Sequence, residues 1–315
     1  MIKLGIVMDP IGSIKPYKDS SFAMLLEAQR RGWSIAYMEL GDLFLRDGVA
    51  CARMTAITVQ DDTDNWYQSG DISEASLDTL DVVLMRKDPP YNAEYHYTTH
   101  MLELAADKGP LVVNDPRGLR DVNEKLFTAW FPDCCVPTLV SRDVDRFRRF
   151  IDEQGDIIIK PLGLMGGASI FRIRQGDPNI SVILENMTAH GREAVMAQRF
   201  IAEISEGDKR ILLIDGEPVP YALARIPAKG ETRGNLAAGG NGVGVELTER
   251  DRFIVSRVAP KLKEMGLMFV GLDVIGNFLT EINVTSPTCI RELDKIYALN
   301  ISATLLDVIE TRLNK

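Results

Sequence analysis

Through its first third the chain runs in short apolar bursts, each closed by a polar or proline-bearing stretch. KLGIVMDP reads as a buried strand ending in a Pro-containing loop, WSIAYMEL as a second strand, DVVLMRKDPP as a third and LVVN as a fourth. Asp19 or Ser20 caps a helix through Arg31, because a short polar side chain accepts an unpaired N–H of the first turn, and Gly32 stops it. A second helix is predicted from about Glu94 to Lys108, ended by Gly109. FLRDGVAC carries an Asp-Gly hairpin turn. Strands alternating with helices, with Arg86, Lys87 and Asp88 at a strand end, give the pattern of an open α/β sheet running to about residue 120.

The pattern then changes. DIIIKPLGLMGGASIFRI reads as strand, Gly-rich loop, strand, with no helix after the glycines, and AVMAQRFI as a further strand. KRILLIDGEPVPYALARI is a hairpin turning at Asp215-Gly216, and FVGLDVIGNFLTEINV is another. Between them Pro227 to Gly244 is rich in glycine and poor in large apolar residues, which predicts a long mobile loop of the functional kind.

Composition narrows the classes. The 315 residues exceed what one core usually serves, so two or three subdomains are expected. A net charge of −9 argues against a nucleic-acid binder. No apolar run approaches the roughly 20 residues of a membrane span, and the N-terminal apolar stretch is too short for a secretory signal, so a cytoplasmic protein is expected. Cys51, Cys134, Cys135 and Cys289 lack metal-ligand spacing and read as reduced thiols. The glycosylation sequon at Asn283 reads as chance without a secretory signal.

Four constellations carry possible chemistry. KPLGLMGGAS lacks the P-loop Lys-Ser/Thr, but glycines between antiparallel strands make a flap whose N–H groups can approach phosphate, with Lys160 adding charge; an ordinary loose hairpin is the plain alternative. With a two-residue turn at Asp215-Gly216, Arg210 faces Tyr221 and shares a face with Arg225. Two guanidiniums on one face suit an anion, unless both are merely solvated. Glu281 and Asn283, two apart on a strand, also share a face. Asp273 joins them only if the hairpin loop at Gly276-Asn277 is odd in length; a solvent-facing polar strand is the alternative. Such an oxygen-only set suits Mg²⁺ bridging to phosphates. His96 and His100 stand four apart on a helix, but no third ligand is evident.

Taken together, KDSSFAMLLEAQRRG, LMRKDPP, LRDVNEKLFTAWF, IIIKPLGLMGGASIFR, GEPVPYALARIPAKGETRGNLAAGG and FVGLDVIGNFLTEINVTSPTCIRE resemble the ATP-grasp superfamily, and within it the bacterial glutathione synthetase family. The resemblance covers nearly the whole chain. It implies an α/β protein: an N-terminal open α/β, Rossmann-like (pre-ATP-grasp) domain over residues 1–121, then an ATP-grasp fold of two α+β subdomains. These are 122–201 with the Gly-rich flap and 202–315 with the metal site and catalytic loop.

The activity it implies is ATP-dependent joining of γ-glutamylcysteine to glycine through an acyl phosphate, releasing ADP and phosphate. It also implies Mg²⁺, or Mn²⁺ in its place, ATP as co-substrate, and a homo-oligomer, commonly a tetramer. Carried over by motif, Lys125, Lys160, Gly166 and Gly167 hold nucleotide phosphates, Gln198, Arg199, Phe200 and Ile201 meet adenine, and Asp208 lies near the ribose. Asp273, Glu281 and Asn283 hold the metal, and Arg210, Arg225 and Arg233 stabilise the transferred phosphate, with Arg233 in a lid over the intermediate. Ser20, Arg86, Ser286, Thr288 and Arg291 meet substrate carboxylates. The chain departs from the family pattern at Gly163-Leu164 and at Asn241. Two other readings stay open: an ATP-grasp ligase with a different acceptor, and a nucleotide-binding protein without turnover.

Overall fold

The computed structural model describes residues 1–164, 167–228 and 241–314. The first sheet is built from β1 (Lys3–Val7), β2 (Ser34–Met38), β3 (Leu43–Arg46), β4 (Val49–Val59), β5 (Tyr67–Ser76), β6 (Val82–Met85) and β7 (Leu111–Val113). Its order is β3-β4-β2-β1-β6-β7, with β5 on the other edge of β4. β1 pairs in parallel with β2 and β6, and β6 with β7, while β4 runs antiparallel to its neighbours. Helix α1 (Ser20–Arg30) follows β1 as expected, and the Asp19 carboxylate accepts from the Phe22 N–H at its start. Asp47 and Gly48 turn the β3–β4 hairpin, both at positive φ. Helices α2 (Ala93–Ala106) and α3 (Pro116–Asp121) flank β7 in sequence. The long β4–β5 hairpin has no counterpart among the predicted strands.

The second sheet holds β8 (Thr138–Ser141), β9 (Asp156–Pro161), β10 (Phe171–Arg174) and β11 (Val195–Arg199) in the order β10-β9-β11-β8. Helices α4 (Val144–Gln154) and α5 (Ile180–Met187) cover it, with Phe147, Ile151 and Leu184 packed against Ile157, Ile159 and Ala197. The third sheet runs β15-β14-β12-β16-β17, from β12 (Asp208–Ile214), β14 (Tyr221–Ile226), β15 (Asn241–Glu246), β16 (Phe269–Ile275) and β17 (Phe278–Asn283), with the short β13 (Glu217–Pro218) beside β12.

Helix α6 (Glu249–Glu264) starts on a reciprocal Thr248–Asp251 cap, and Asp251, fully buried, also receives Lys209 of β12. Helices α7 (Ile290–Tyr297) and α8 (Ile301–Leu313) return to the first sheet, where Leu305 and Ile309 share one core with Leu4, Ile6 and Phe22. Among the described residues, no helix is long and apolar enough to cross a membrane.

This arrangement places polar residues where strands end. Met8 and Asp9 follow β1, and Arg86 and Asp88 follow β6, at the carboxyl edge where open α/β sheets bind ligands. Asn114, after β7, donates to the carbonyls of Phe269 and Val284 and accepts from the Phe269 N–H, pinning the first sheet to the third.

Candidate active site

A cavity of about 740 Å³ is lined by all three sheets. Its acidic wall is the β16–β17 hairpin. Gly276-Asn277 is a two-residue loop, with Ile275 opposite Phe278 and Val274 opposite Leu279, yet Asp273 stands opposite Glu281 and Gly271 opposite Asn283. The odd loop expected from the sequence is therefore absent, and a bulge at Thr280 does its work. One extra residue in β17 moves the register by one and turns Glu281 and Asn283 onto the face of Asp273. The Thr280 hydroxyl donates to the Asp273 carbonyl at 3.1 Å, and the Thr280 carbonyl accepts from Lys160 Nζ at 3.1 Å.

The basic wall comes from β12 and β14. Asp215-Gly216 does turn in two residues, with Ile214 opposite Glu217 and Leu213 opposite Pro218. Farther along the register moves by two, so Arg210 faces Leu223 rather than Tyr221, and Asp208 faces Arg225. A shift of two preserves parity, and Arg210 and Arg225 still share a face. Both converge on Asp273: Arg210 Nη2 lies 3.0 Å and Arg225 Nη2 2.9 Å from its Oδ2. Gly271 makes room for this, because a Cβ there would stand 2.8 Å from Arg210 Cδ. Arg225 also donates to Asp208 Oδ2 at 2.6 Å. The other oxygen, Asp208 Oδ1, is buried and has no partner among the described residues.

Burial alone would raise the Asp273 carboxyl, but Arg210 and Arg225 outweigh it and hold it well below the ordinary range. For Asp208 burial prevails over the pull of Arg225 and, with Asp273 adding repulsion, pushes it up to about 7. Burial also draws the Lys160 ammonium below its ordinary value. Lys125 Nζ sits 2.8 Å from Glu281 Oε1 and also donates to the Leu164 carbonyl. Two lysines thus flank the bulged strand, one on its backbone and one on its carboxylate.

Gln198, Arg199, Phe200 and Ile201 line the cavity at the end of β11, and Gly167 lines it from the flap. The Arg199 N–H donates to the Pro137 carbonyl and the Phe200 N–H to the Asp156 carbonyl. A hydrogen bond from this segment's backbone N–H to a base therefore has to come from Ile201. Gly166, Arg233 and the rest of residues 229–240 lie outside the described residues, and the expected Pro227–Gly244 loop is too long at its far end, because 241–244 are the start of β15, paired with β14.

Ser286 and Thr288 face the cavity. Ser20 and Arg86 line it too, and each bonds to the segment that carries those residues, while Arg86 Nε also donates to the Ser21 hydroxyl at 3.0 Å. Ser20 Oγ accepts from the Ile290 N–H at 3.2 Å, and Arg86 Nη2 donates to the Pro287 carbonyl at 2.8 Å. Arg291 departs from expectation: it is not among the lining residues, and its Nη2 bridges both oxygens of Asp61 at 2.7 and 2.9 Å. The first helical turn of α7 aims its Nη2 at the loop between β4 and β5, while its Nη1 is buried with no partner among the described residues. Four lining carboxylates carry no site assignment in the sequence reading: Asp19, read only as a helix cap, Asp88, read only at a strand end, and Glu124 and Glu292. Burial raises all four carboxyls, against the pull of Arg86 on Asp19 and Asp88 and of Lys18 on Glu292. Their only sequence signal was a position just after a strand or at a helix start.

Outside the cavity, His96 Nε2 and His100 Nε2 lie 3.4 Å apart, and Arg120 Nη1 lies 3.3 Å from His100 Nδ1. Among the described residues no third His, Cys, Asp or Glu joins them in a group that could hold a metal. The four cysteines are free thiols.

Comparisons with known proteins point one way. Residues 2–120 match the family model described as prokaryotic glutathione synthetase, N-terminal domain, and residues 124–298 match prokaryotic glutathione synthetase, ATP-grasp domain. The chain is 60% identical over 313 residues to a glutathione synthetase of Vibrio cholerae, covering 99% of this chain and 98% of that one. It is 58% identical over 315 residues to one of Shewanella oneidensis, covering 100% of both. Among solved structures it resembles the D-cycloserine synthetase DcsG, with a TM-score of 0.68 at 14% identity over 98% of this chain and 99% of that one. It also resembles D-alanyl-alanine synthetase A of Vibrio cholerae, with a TM-score of 0.60 at 13% identity over 100% and 99%. At such identities these two show the fold alone, which is ATP-grasp.

Proposed function

The chain belongs to the prokaryotic glutathione synthetase family, and from that premise we propose how its cleft divides the work. The reaction is the ATP-dependent ligation of γ-glutamylcysteine to glycine, the second step of glutathione biosynthesis, with release of ADP and phosphate. The cysteinyl carboxylate attacks the γ-phosphate of ATP, ADP leaves, and an acyl phosphate forms. The glycine amine then attacks the acyl carbon, phosphate leaves, and the amine loses its proton. Both steps gather negative charge, so cations and oriented donors matter more than acids and bases.

In this reading Lys125 and Lys160 hold the nucleotide phosphates, and Ile201 and its neighbours hold the base. The orphaned, buried Asp208 Oδ1 is the kind of acceptor a ribose hydroxyl satisfies. Arg210 and Arg225 face the transferred phosphoryl group. Ser286 and Thr288 orient substrate carboxylates, with Ser20 and Arg86 supporting their loop. The carboxylate-lined end near Asp19, Asp88 and Glu292 suits the ammonium of the γ-glutamyl group.

Asp273, Glu281 and Asn283 fit Mg²⁺ or Mn²⁺ by donor chemistry, two carboxylates and an amide on one face. Two carboxylates and an amide leave the rest of the shell to water and phosphate oxygens, as Mg²⁺ sites beside phosphates do. A bound divalent cation would neutralise phosphate charge there. Asp273 is held by Arg210 and Arg225, so Glu281 and Asn283 are the more accessible donors.

The division at residues 121 and 201 is supported by the three sheets occupying successive stretches of chain. A homo-oligomer is proposed from the family resemblance alone, and light scattering tests it.

The observation that carries this reading is the bulge-set face of Asp273, Glu281 and Asn283 beside Lys125 and Lys160. The test is ADP release with ATP and Mg²⁺, offered γ-glutamylcysteine plus glycine, each alone, and other peptide and amino-acid pairs. Release that needs both named substrates is expected. Turnover with another pair and none with this one would assign a different acceptor, and no turnover with any pair would leave a nucleotide-binding protein.

A further inference from the structure

Glu124 has no part in the chemistry above, yet it is half-buried and one oxygen of its carboxylate takes three hydrogen bonds from the substrate-facing loop. Its Oε1 accepts from the Val284 N–H at 2.8 Å, the Thr285 N–H at 3.0 Å and the Thr285 hydroxyl at 2.8 Å. Its backbone carbonyl accepts from the Ile282 N–H at 2.8 Å. The next residue, Lys125, holds the Glu281 side chain. Two adjacent residues thus grip β17 and its exit from Glu281 to Thr285. From the other side Asn114 Nδ2 holds the Val284 carbonyl at 2.7 Å. The Val284–Thr285 peptide is fixed at both its N–H and C=O ends immediately before Ser286.

We propose that Glu124 is a positioning residue of the ligase, whose carboxylate sets the Val284–Thr285 backbone so that Ser286 and Thr288 face the carboxylate-bearing substrates. This rests on the function proposed above. The physical case is one of satisfaction. An oxygen with three donors is saturated, so Oε1 is not available as a base or metal ligand. Loops left without such support lose the sub-ångström placement that substrate recognition needs. The same support explains why a carboxylate is tolerated under a strand that already carries Glu281: three hydrogen bonds offset much of the burial cost.

The test compares the full-length wild type with Glu124→Ala, Glu124→Gln and Thr285→Val in steady-state assays with ATP, γ-glutamylcysteine and glycine. Glu124→Ala should raise KM for at least one of the two carboxylate substrates by about tenfold or more, while KM for ATP changes less than about threefold. Glu124→Gln, whose amide oxygen can accept the same three donors, should recover most of that loss. Thr285→Val removes one donor and should raise the same KM by about two- to fivefold.

A Gln variant as impaired as Ala would mean that charge or proton transfer matters, and would overturn the proposal. So would a rise in KM for ATP equal to that for the other substrates. If Glu124→Ala does not fold, Thr285→Val decides alone, and an unchanged KM there rejects the role. An inactive wild type overturns the functional reading and this inference with it, whereas an active wild type with indifferent variants overturns only the inference.

Discussion

The Lys125 ammonium sits 2.8 Å from the Glu281 carboxylate, joining the start of the second unit to the bulged strand that carries the proposed metal ligands. Each neutralises the other in the ligand-free chain, and each is proposed to exchange that partner for a ligand, phosphate for Lys125 and a divalent cation for Glu281. Glu281→Gln should therefore lower turnover by about a hundredfold or more, since charge beside the phosphates is lost while shape is kept. Stability should fall by only about 1–3 kcal/mol, because Lys125 retains the Leu164 carbonyl. ADP release and thermal unfolding on one preparation check both, and half the wild-type turnover or more would remove Glu281 from the site.

Lys160 gives a case where function and stability part company. It is 7% exposed, its ammonium meets the Thr280 carbonyl, and burial works against its charge. Lys160→Met keeps the length of the side chain and removes the desolvated charge. The unfolding free energy should stay within about 1 kcal/mol of wild type or rise above it. ADP affinity should fall about tenfold or more, read by calorimetry. Unchanged ADP affinity would place phosphate elsewhere.

Asp294 sets a pH dependence away from the cleft. It accepts from the Ile301 N–H between α7 and α8, and burial pushes it from the usual 3.8 up to about 6. The folded chain thus binds this proton more tightly than the unfolded chain. From about pH 4 to 6 its contribution to stability falls as pH rises, and above pH 6 the full cost of a half-buried charge remains. Asp294→Asn keeps an acceptor and removes the titration. At pH 8 the variant should be more stable than wild type by about 1–2 kcal/mol, allowing for solvent screening, with little gain at pH 4. Urea midpoints at the two pH values measure this, and an equal difference at both would reject it.

What the sequence made legible depended on how local the cause was. The Asp19 cap and the Asp47-Gly48 and Asp215-Gly216 turns could be read directly, because each is decided within four residues. The shared face of Asp273, Glu281 and Asn283 was legible as a requirement of the chemistry, but the device was not. An odd loop and a bulge both change parity by one, and the choice rests on Thr280 meeting the Asp273 carbonyl and Lys160. Strand β5, YQSGDISEAS, could not be seen because it is exposed along most of its length and has no apolar alternation to betray it. Glu124 was hidden for a different reason: its donors lie 160 residues away, and nothing in the Asn-Glu-Lys triplet names them.

Arg291 shows the same limit and supports the last prediction. A lone Arg following TSPTCI reads equally well as a carboxylate ligand or as a strut, since its partner is 230 residues back in the chain. In the structure that partner is Asp61, whose side chain is 63% exposed, while Arg291 is 19% exposed. If the pair is only a strut between the β4–β5 loop and α7, Asp61→Asn should change stability by about 0–1 kcal/mol, as the loss of an exposed carboxylate does, and Arg291→Ala by about 1–2 kcal/mol through lost packing of its stem. Neither should alter KM for glycine or γ-glutamylcysteine by more than about twofold, a difference of roughly 0.4 kcal/mol. If Arg291 instead leaves Asp61 to hold a substrate carboxylate, the two variants must move in opposite directions. Asp61→Asn would release the guanidinium and lower that KM, and Arg291→Ala would raise it about tenfold or more, the loss of a charge-assisted bond. Measured side by side, equal and small effects on KM assign the strut, and opposed effects return Arg291 to the substrate site.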